Sequence, residues 1–234
     1  MANLIKFVHA RPDTVVHEDF LPKKAKDFIP EWYRKTSPFV QWDGATNSSN
    51  PLDLTVKKCI PLLDSLTAGY IIPLWNDVFV KQENNETIIS LADNSNFFQT
   101  HGLVQNPHYP YTGENPLFIK FVSPWSIITP KGYSCLFVNP FHNENGVVTI
   151  LEAIVDTDSY HEVNFPALLT NPKAQSLIPA GIPLVQVIPF KRDEWQIDYG
   201  NQNDIDRILK VSRRRASVFV NAYKKLFWAR KSYN

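Results

Sequence analysis

Apolar and β-branched residues recur in short stretches between residues 118 and 192, and each stretch is closed by Pro, Gly or Asp. The stretches group into three runs, FVSPWSIITPKGYSCLFVNP (121–140), TILEAIVDTDSYHEVNFPALL (149–169) and LIPAGIPLVQVIPFKR (177–192). Short strands punctuated by turn residues read this way, so the three runs predict one compact β unit. Upstream, NLIKFVH predicts a strand, and PKKAKDFIPEWYRK predicts a short helix broken near Pro30 and anchored by Trp32 and Tyr33. The stretch QWDGATNSSNP (41–51) has loop composition, rich in Asn, Ser and Gly and without apolar period. From residue 54 come TVKKC, a turn or short helix through PLLDSLTAG, and a meander of YIIPLW, DVFVKQ and ETIISL. The polar ENN between the last two suits a hairpin. Residues 93–116 carry no clear period, and a long loop of that kind is more often functional or interface-forming than idle. Residues 203–231 contain neither Pro nor Gly and place Ile205, Leu209, Val218, Phe219, Ala222, Leu226 and Trp228 at apolar positions, which predicts one long helix.

Composition narrows the class. The chain has 234 residues and 44% hydrophobic content, enough to bury a substantial core in one large domain or one domain with appendages. Eighteen Pro against eight Gly, with 13% aromatics, favour short strands and rigid loops over a helix bundle. The expected fold is mainly β (α+β), in three parts: an N-terminal strand, short helix and loop extension (1–53), a β domain (54–200) and a basic C-terminal helix (201–234). Net charge is +1, but residues 1–200 hold 15 Lys/Arg against 21 Asp/Glu, whereas residues 201–234 hold 9 against 2. The two cysteines, Cys59 and Cys135, sit in apolar strand-like runs and are expected to be small buried hydrophobes. Neither belongs to a CxxC or other zinc spacing, which argues against a structural metal. MANLIKFVHARPD lacks a basic leader with a long apolar stretch, and no run approaches membrane-spanning length. The expectation is a protein that is intracellular when made and does not engage membranes.

KGYSCLF, EAIVDTDSYHEVNFPALL and IPAGIPLVQVIPF, in that order, resemble the motifs of the dUTPase and dCTP deaminase superfamily, and TAGYIIPL (67–74) resembles the first dUTPase motif. That resemblance implies a β-clip-like, dUTPase-type core over roughly residues 67–190. Over nearly the whole chain the sequence is also similar to a tailed-phage and bacterial family that carries a domain of unknown function. The residues are IPEWY (29–33), TAGYIIPL, PWSIITPKGYSCLF (124–137), VDTDSY (155–160), NFP (164–166) and GIPLVQVIPFKRDEW (181–195). This second resemblance implies a phage origin and brings no mechanism; synthesis in the host cytoplasm, and a virion or assembly component, are the expectations. β-clip relatives commonly form trimers, which makes a homo-oligomer or another protein the expected partner.

dUTPase chemistry needs a carboxylate to orient the attacking water, acidic help for Mg²⁺, and cationic or hydroxyl donors on the phosphates. Asp156 matches the water-activating Asp, although its spacing to Tyr160 is one residue longer than the family pattern. Ile71 stands at the acidic position of the first motif, and Asn139, Pro140 and Phe141 stand where the Arg-Ser-Gly phosphate site belongs. A Gly-rich closing loop is missing near the C-terminus, where the basic helix is found instead. A site without phosphate donors loses most of its transition-state stabilisation, so dUTP hydrolysis is not expected and the chain is read as non-catalytic, structural or partner-binding.

Other constellations carry an alternative. Asp156, Asp158, His161 and Glu162 fall within seven residues and could hold Mg²⁺ or Mn²⁺ or act as acid and base, giving a metal-dependent enzyme or a small-molecule or nucleotide binder. The competing and favoured reading is a turn whose Asp side chains bond the local backbone. His101 and His108, with Tyr109 and Tyr111, could join His142 in a metal or substrate pocket, but their spacing fits no named motif, so exposed or interface histidines are the default. Lys210, Arg213, Arg214, Arg215, Lys224, Lys225, Arg230 and Lys231 could engage nucleic acid or an acidic protein face. The favoured reading here is an amphipathic helix with its cationic side in solvent and its apolar side on the β core. Phe227 and Trp228 are candidate anchors for a neighbouring chain, worth about 2 to 3 kcal/mol each when buried.

Overall fold

The computed structural model describes residues 3–40, 54–83, 86–91, 97–101, 105, 108–109, 117–143, 146–169, 175–218 and 221–233. The 41–51 loop, most of the 93–116 stretch, Tyr111 and Phe219 lie outside the described residues. The protein is mainly β. Its strands are β1 (Lys6–His9), β2 (Lys23–Lys24), β3 (Tyr70–Pro73), β4 (Val78–Glu83), β5 (Glu86–Leu91), β6 (Phe98–His101), β7 (Leu117–Ile128), β8 (Tyr133–Val138), β9 (Val148–Ile150), β10 (Ala153–Val155), β11 (Glu162–Leu169), β12 (Gln175–Ile178) and β13 (Pro183–Lys191). Its α-helices are α1 (Glu31–Lys35), α2 (Ile60–Thr67), α3 (Gln202–Ala216) and α4 (Ala222–Leu226).

The chain forms two compact units, one from Met1–Phe28 with Ala68–Arg192 and one from Ile29–Thr67 with Asp193–Asn234. These cut across the three parts expected from the sequence. The first unit holds all the strands named above, in three antiparallel sheets: β1-β7-β11-β9 with β6 also on β7, β10-β8-β13-β3-β2, and β12-β4-β5. β1 is thus part of the core sheet, paired Lys6 to Ile128 through His9 to Trp125. β6 lies inside the stretch that shows no period, and pairs Phe98 with Phe121 and His101 with Phe118. The expected hairpin is present as β4 and β5, with Glu83 opposite Glu86.

Side-chain alternation explains which faces are buried. In β4, Val78 and Val80 point into the core while Phe79 is exposed, the period-two pattern of a half-buried strand. β7 and β13 are buried on both faces over much of their length, so both read as near-continuous apolar runs. Ile72, Leu74, Phe121, Phe165, Leu169 and Val187 belong to one shared core cluster, each large side chain contributing about 1.5 to 3 kcal/mol by burial. Pro124 sits inside β7 and has no N–H for the ladder, and the β11 register shifts between Glu162 and Asn164 at that level. The Asn164 side chain takes up the slack by accepting from the Ser123 N–H at 3.2 Å.

Gly69 precedes β3 with φ +65°, and a Cβ built there would lie 2.0 Å from the Val187 carbonyl oxygen. Only glycine permits that approach together with that backbone angle. Its own carbonyl accepts from the Ala25 N–H at 3.0 Å.

The second unit is helical. The break near Pro30 is present: a 3₁₀ turn ends at Phe28 in the first unit, Pro30 caps α1, and Tyr33 is buried. Lys57 Nζ donates to the Tyr33 carbonyl at 2.5 Å and lies 4.2 Å from the centre of the Tyr33 ring. The single helix expected over 203–231 is two helices. α3 ends at Ala216, where the Ser217 N–H caps back to the Arg213 carbonyl, and Asn221 precedes α4 in the left-handed region at φ 59°. Asn tolerates that conformation, and no helix runs through it. Cys135 is buried as expected, but Cys59, at the C-cap of the 3₁₀ turn before α2, is exposed.

Candidate functional site

The acidic turn 156–161 follows β10 and faces the start of β8 and the end of β13, two strands paired in register from Gln186–Val138 to Lys191–Tyr133. That register delivers Arg192 to the turn. Arg192 Nη2 donates to Asp158 Oδ2 at 2.5 Å and Nη1 to Asp158 Oδ1 at 3.1 Å, the two-pronged geometry that suits guanidinium and carboxylate. The Gly132 N–H adds a bond to Asp158 Oδ2 at 2.7 Å, and the Arg192 N–H donates back to the Gly132 carbonyl at 2.9 Å. The Asp158 side chain is only 7% exposed. The Arg192 guanidinium, then the Gly132 N–H, hold its carboxyl down at about 2. Arg192 in turn is pushed up by Asp158.

Asp156 is more open, with its side chain 59% exposed. Its Oδ1 accepts from Ser134 Oγ at 2.6 Å and pairs with Arg192 Nη1 at 3.0 Å. Its backbone carbonyl accepts from the Ser159 and Tyr160 N–H groups, which closes the turn. Beneath it, the Thr129 and Thr157 hydroxyls meet at 2.8 Å in a buried pair. His161 points elsewhere: its Nδ1 lies 3.2 Å from the Ile127 carbonyl and 3.1 Å from the Thr157 carbonyl, so that nitrogen carries the proton. Glu162 lines a separate recess of about 140 Å³ with Arg11, Ser126 and Asn164. The structure therefore brings together Asp156 and Asp158, and sends His161 and Glu162 to other neighbours.

Ile71, Asn139 and Gln186 have structural partners. Ile71 is buried in β3 opposite Gln186. Asn139 mimics a strand edge, accepting from the Ile150 N–H at 2.8 Å and donating to the Ile150 carbonyl at 3.0 Å. Gln186, buried in β13, accepts from the Phe141 N–H at 2.9 Å and donates to the Ala68 carbonyl at 2.7 Å. Sequence reasoning passed over both Gln186 and Arg192. The signal for the first was a lone amide within the apolar run PLVQVIPF, where a buried polar group must be there to bond something.

The His101 ring lies 5.5 Å from that of Phe118, tilted by 50°, and His142 is exposed in a left-handed turn at φ 54°. Among the described residues, no three His, Cys, Asp or Glu side chains converge as a metal cage. Arg192 pairs with both Asp156 and Asp158.

The cationic residues are divided. Arg213, Arg214 and Arg215 are exposed in the last turn of α3, where cations favour the helix dipole. Lys231 is committed to Asp64 Oδ2 at 2.6 Å. Trp228 is half-buried and donates from Nε1 to Asp64 at 3.0 Å, so it anchors within its own chain, while Phe227 remains 37% exposed. α3 contributes no buried residue.

No model of a known protein family matches the chain, and none of the curated proteins compared with it matches in sequence.

Proposed function

We propose that the protein is a non-catalytic, partner-binding component of a tailed-phage particle or of its assembly, built on a β-clip-like core of the dUTPase type. One observation carries the partner-binding reading: Trp195, Ile197 and Tyr199 are 85–90% exposed along a segment without regular secondary structure, and the apolar residues of α3 follow them directly. So much uncovered aromatic and aliphatic surface in one stretch marks an interaction site. Support for the core comes from the sheet β10-β8-β13-β3-β2, which gathers TAGYIIPL, KGYSCLF and GIPLVQVIPF as adjacent strands, with VDTDSY starting on β10 and turning beside them. The phage assignment rests on the resemblance carried by IPEWY, TAGYIIPL, PWSIITPKGYSCLF, VDTDSY, NFP and GIPLVQVIPFKRDEW. Mass spectrometry of purified particles is expected to find the protein at stoichiometric level; its absence from particles and from assembly intermediates would reject the reading.

The metal-dependent or nucleotide-binding alternative is disfavoured by the Arg192 pairing with Asp156 and Asp158. Nucleotides with Mg²⁺ are expected to leave the melting temperature unchanged in a thermal-shift series. A saturable shift that Asp156→Asn abolishes would reinstate that alternative.

A further inference from the structure

We propose that α3 is a self-association surface, on which two copies of this chain pair their α3 helices antiparallel across a twofold axis. The inference rests on the partner-binding reading and names the partner as a second copy. α3 spans 15 residues and buries none of them. At about 100° per residue, Ile205, Ile208, Leu209, Ser212 and Ala216 share one face. Ile205, Ile208 and Leu209 are 47–60% exposed. Ser212 and Ala216 are small enough to let a second helix approach closely.

Charge identifies the occupant. Asp204 and Arg215 flank this apolar row on one side, and Asp206 and Arg213 flank it on the other. In an antiparallel twofold pair each flank meets its own copy with direction reversed. Asp204 then faces Arg215 of the second copy, and Asp206 faces Arg213. One register satisfies both pairs, because Asp206 follows Asp204 by the same two positions as Arg215 follows Arg213. A parallel pair would set acid against acid and arginine against arginine. The helix dipoles also favour the antiparallel arrangement. Lys210 and Arg214 lie on the far face and stay in solvent, and Arg207, also largely exposed, reaches round to Asp204 Oδ1 at 3.2 Å. Nucleic acid would use those cations and leave the apolar row uncovered.

The test is sedimentation equilibrium of the full chain over a concentration series, on the wild type, Asp206→Arg, Arg213→Asp and the double exchange. Asp206 is chosen because its carboxylate accepts from the neutral Gln202 amide, at 3.1 Å, whereas Asp204 closes the N-terminal capping box and is already paired with Arg207 at 3.2 Å. The wild type is expected to dimerise. Each single exchange places like charges at two symmetric positions and is expected to weaken the dimer about tenfold or more, and the double exchange restores it. Far-UV circular dichroism confirms that each variant keeps the fold.

A monomeric wild type, a trimer indifferent to all three variants, or a double exchange no better than the singles would overturn the proposal. So would single variants that move in opposite directions on an anionic vesicle or on duplex DNA while self-association stays constant, since that response tracks net charge. Particle composition judges the broader reading separately. Protein present in particles without the charge-exchange pattern sinks only the α3 pairing. The reverse result sinks only the particle assignment.

Discussion

At Asp158 a nearly buried carboxylate faces a guanidinium and a backbone N–H, and its charge matters to stability in a definite pH window. Its folded pKa of about 2 lies below the ordinary Asp value of about 3.9. A depressed acid contributes stability that is full above the unfolded value and is lost as pH falls through the folded one. Melting temperature is therefore expected to drop between about pH 4 and pH 2, and Asp158→Asn to be less stable at neutral pH with a flatter profile across that window. A variant profile parallel to that of the wild type would refute this role. Gly69 makes a second demand at the scale of one residue. Gly69→Ala forces a Cβ against the Val187 carbonyl at a positive φ, and is expected to cost at least about 1 to 3 kcal/mol in urea unfolding. Both residues lie in motifs that stand out in the sequence, but for Asp158 the sequence shows only an acid in a turn. Its partner Arg192 is 34 positions away, and nothing short of strand register reveals the pairing.

Among the elements, strands were more legible than helices because a period of two with Pro and Gly punctuation survives in short runs. KGYSCLF and PLVQVIPF became β8 and β13, and DVFVKQ and ETIISL paired as β4 and β5. β6 escaped because four residues in a polar, Pro-rich stretch carry too little alternation to read, and its pairing to β7 comes from tertiary context. The C-terminal helix was misread for a related reason. Absence of Pro and Gly permits a helix across 217–221 but does not require one, and Asn221 has the short polar side chain that accepts a left-handed turn. The start of α3 is strongly specified, since the Asn201 side chain accepts from the Asn203 N–H while Asp204 reaches back to the Asn201 N–H. Asn201→Ala is expected to remove about 1 kcal/mol from α3 and to fray its first turn, read as a loss of ellipticity at 222 nm with the sheet signal unchanged. No change in helicity would mean that contacts beyond the cap hold α3.

For the whole molecule, stability and exposure are distributed unevenly, and that distribution predicts where binding acts. β7 over most of its length and β13 over Leu184–Val187 are buried on both faces, and both strands are paired on both edges, so the amides there are expected to open only with global unfolding. Residues 193–200 make no regular backbone pairing, and their side chains are exposed. In hydrogen exchange on the free protein these amides are expected to exchange at nearly unprotected rates. In assembled particles the same segment is expected to gain protection if Trp195, Ile197 and Tyr199 dock on a partner, since covering them removes water from the adjoining backbone. Pairing through α3 alone would protect residues 205–212 in a concentration-dependent way and leave 193–200 fast. A particle-bound protein in which both segments exchange as they do in the free chain would show that this surface is not the one that binds, and would move the search to the exposed face of the small sheet, where Phe79 lies beside Leu177.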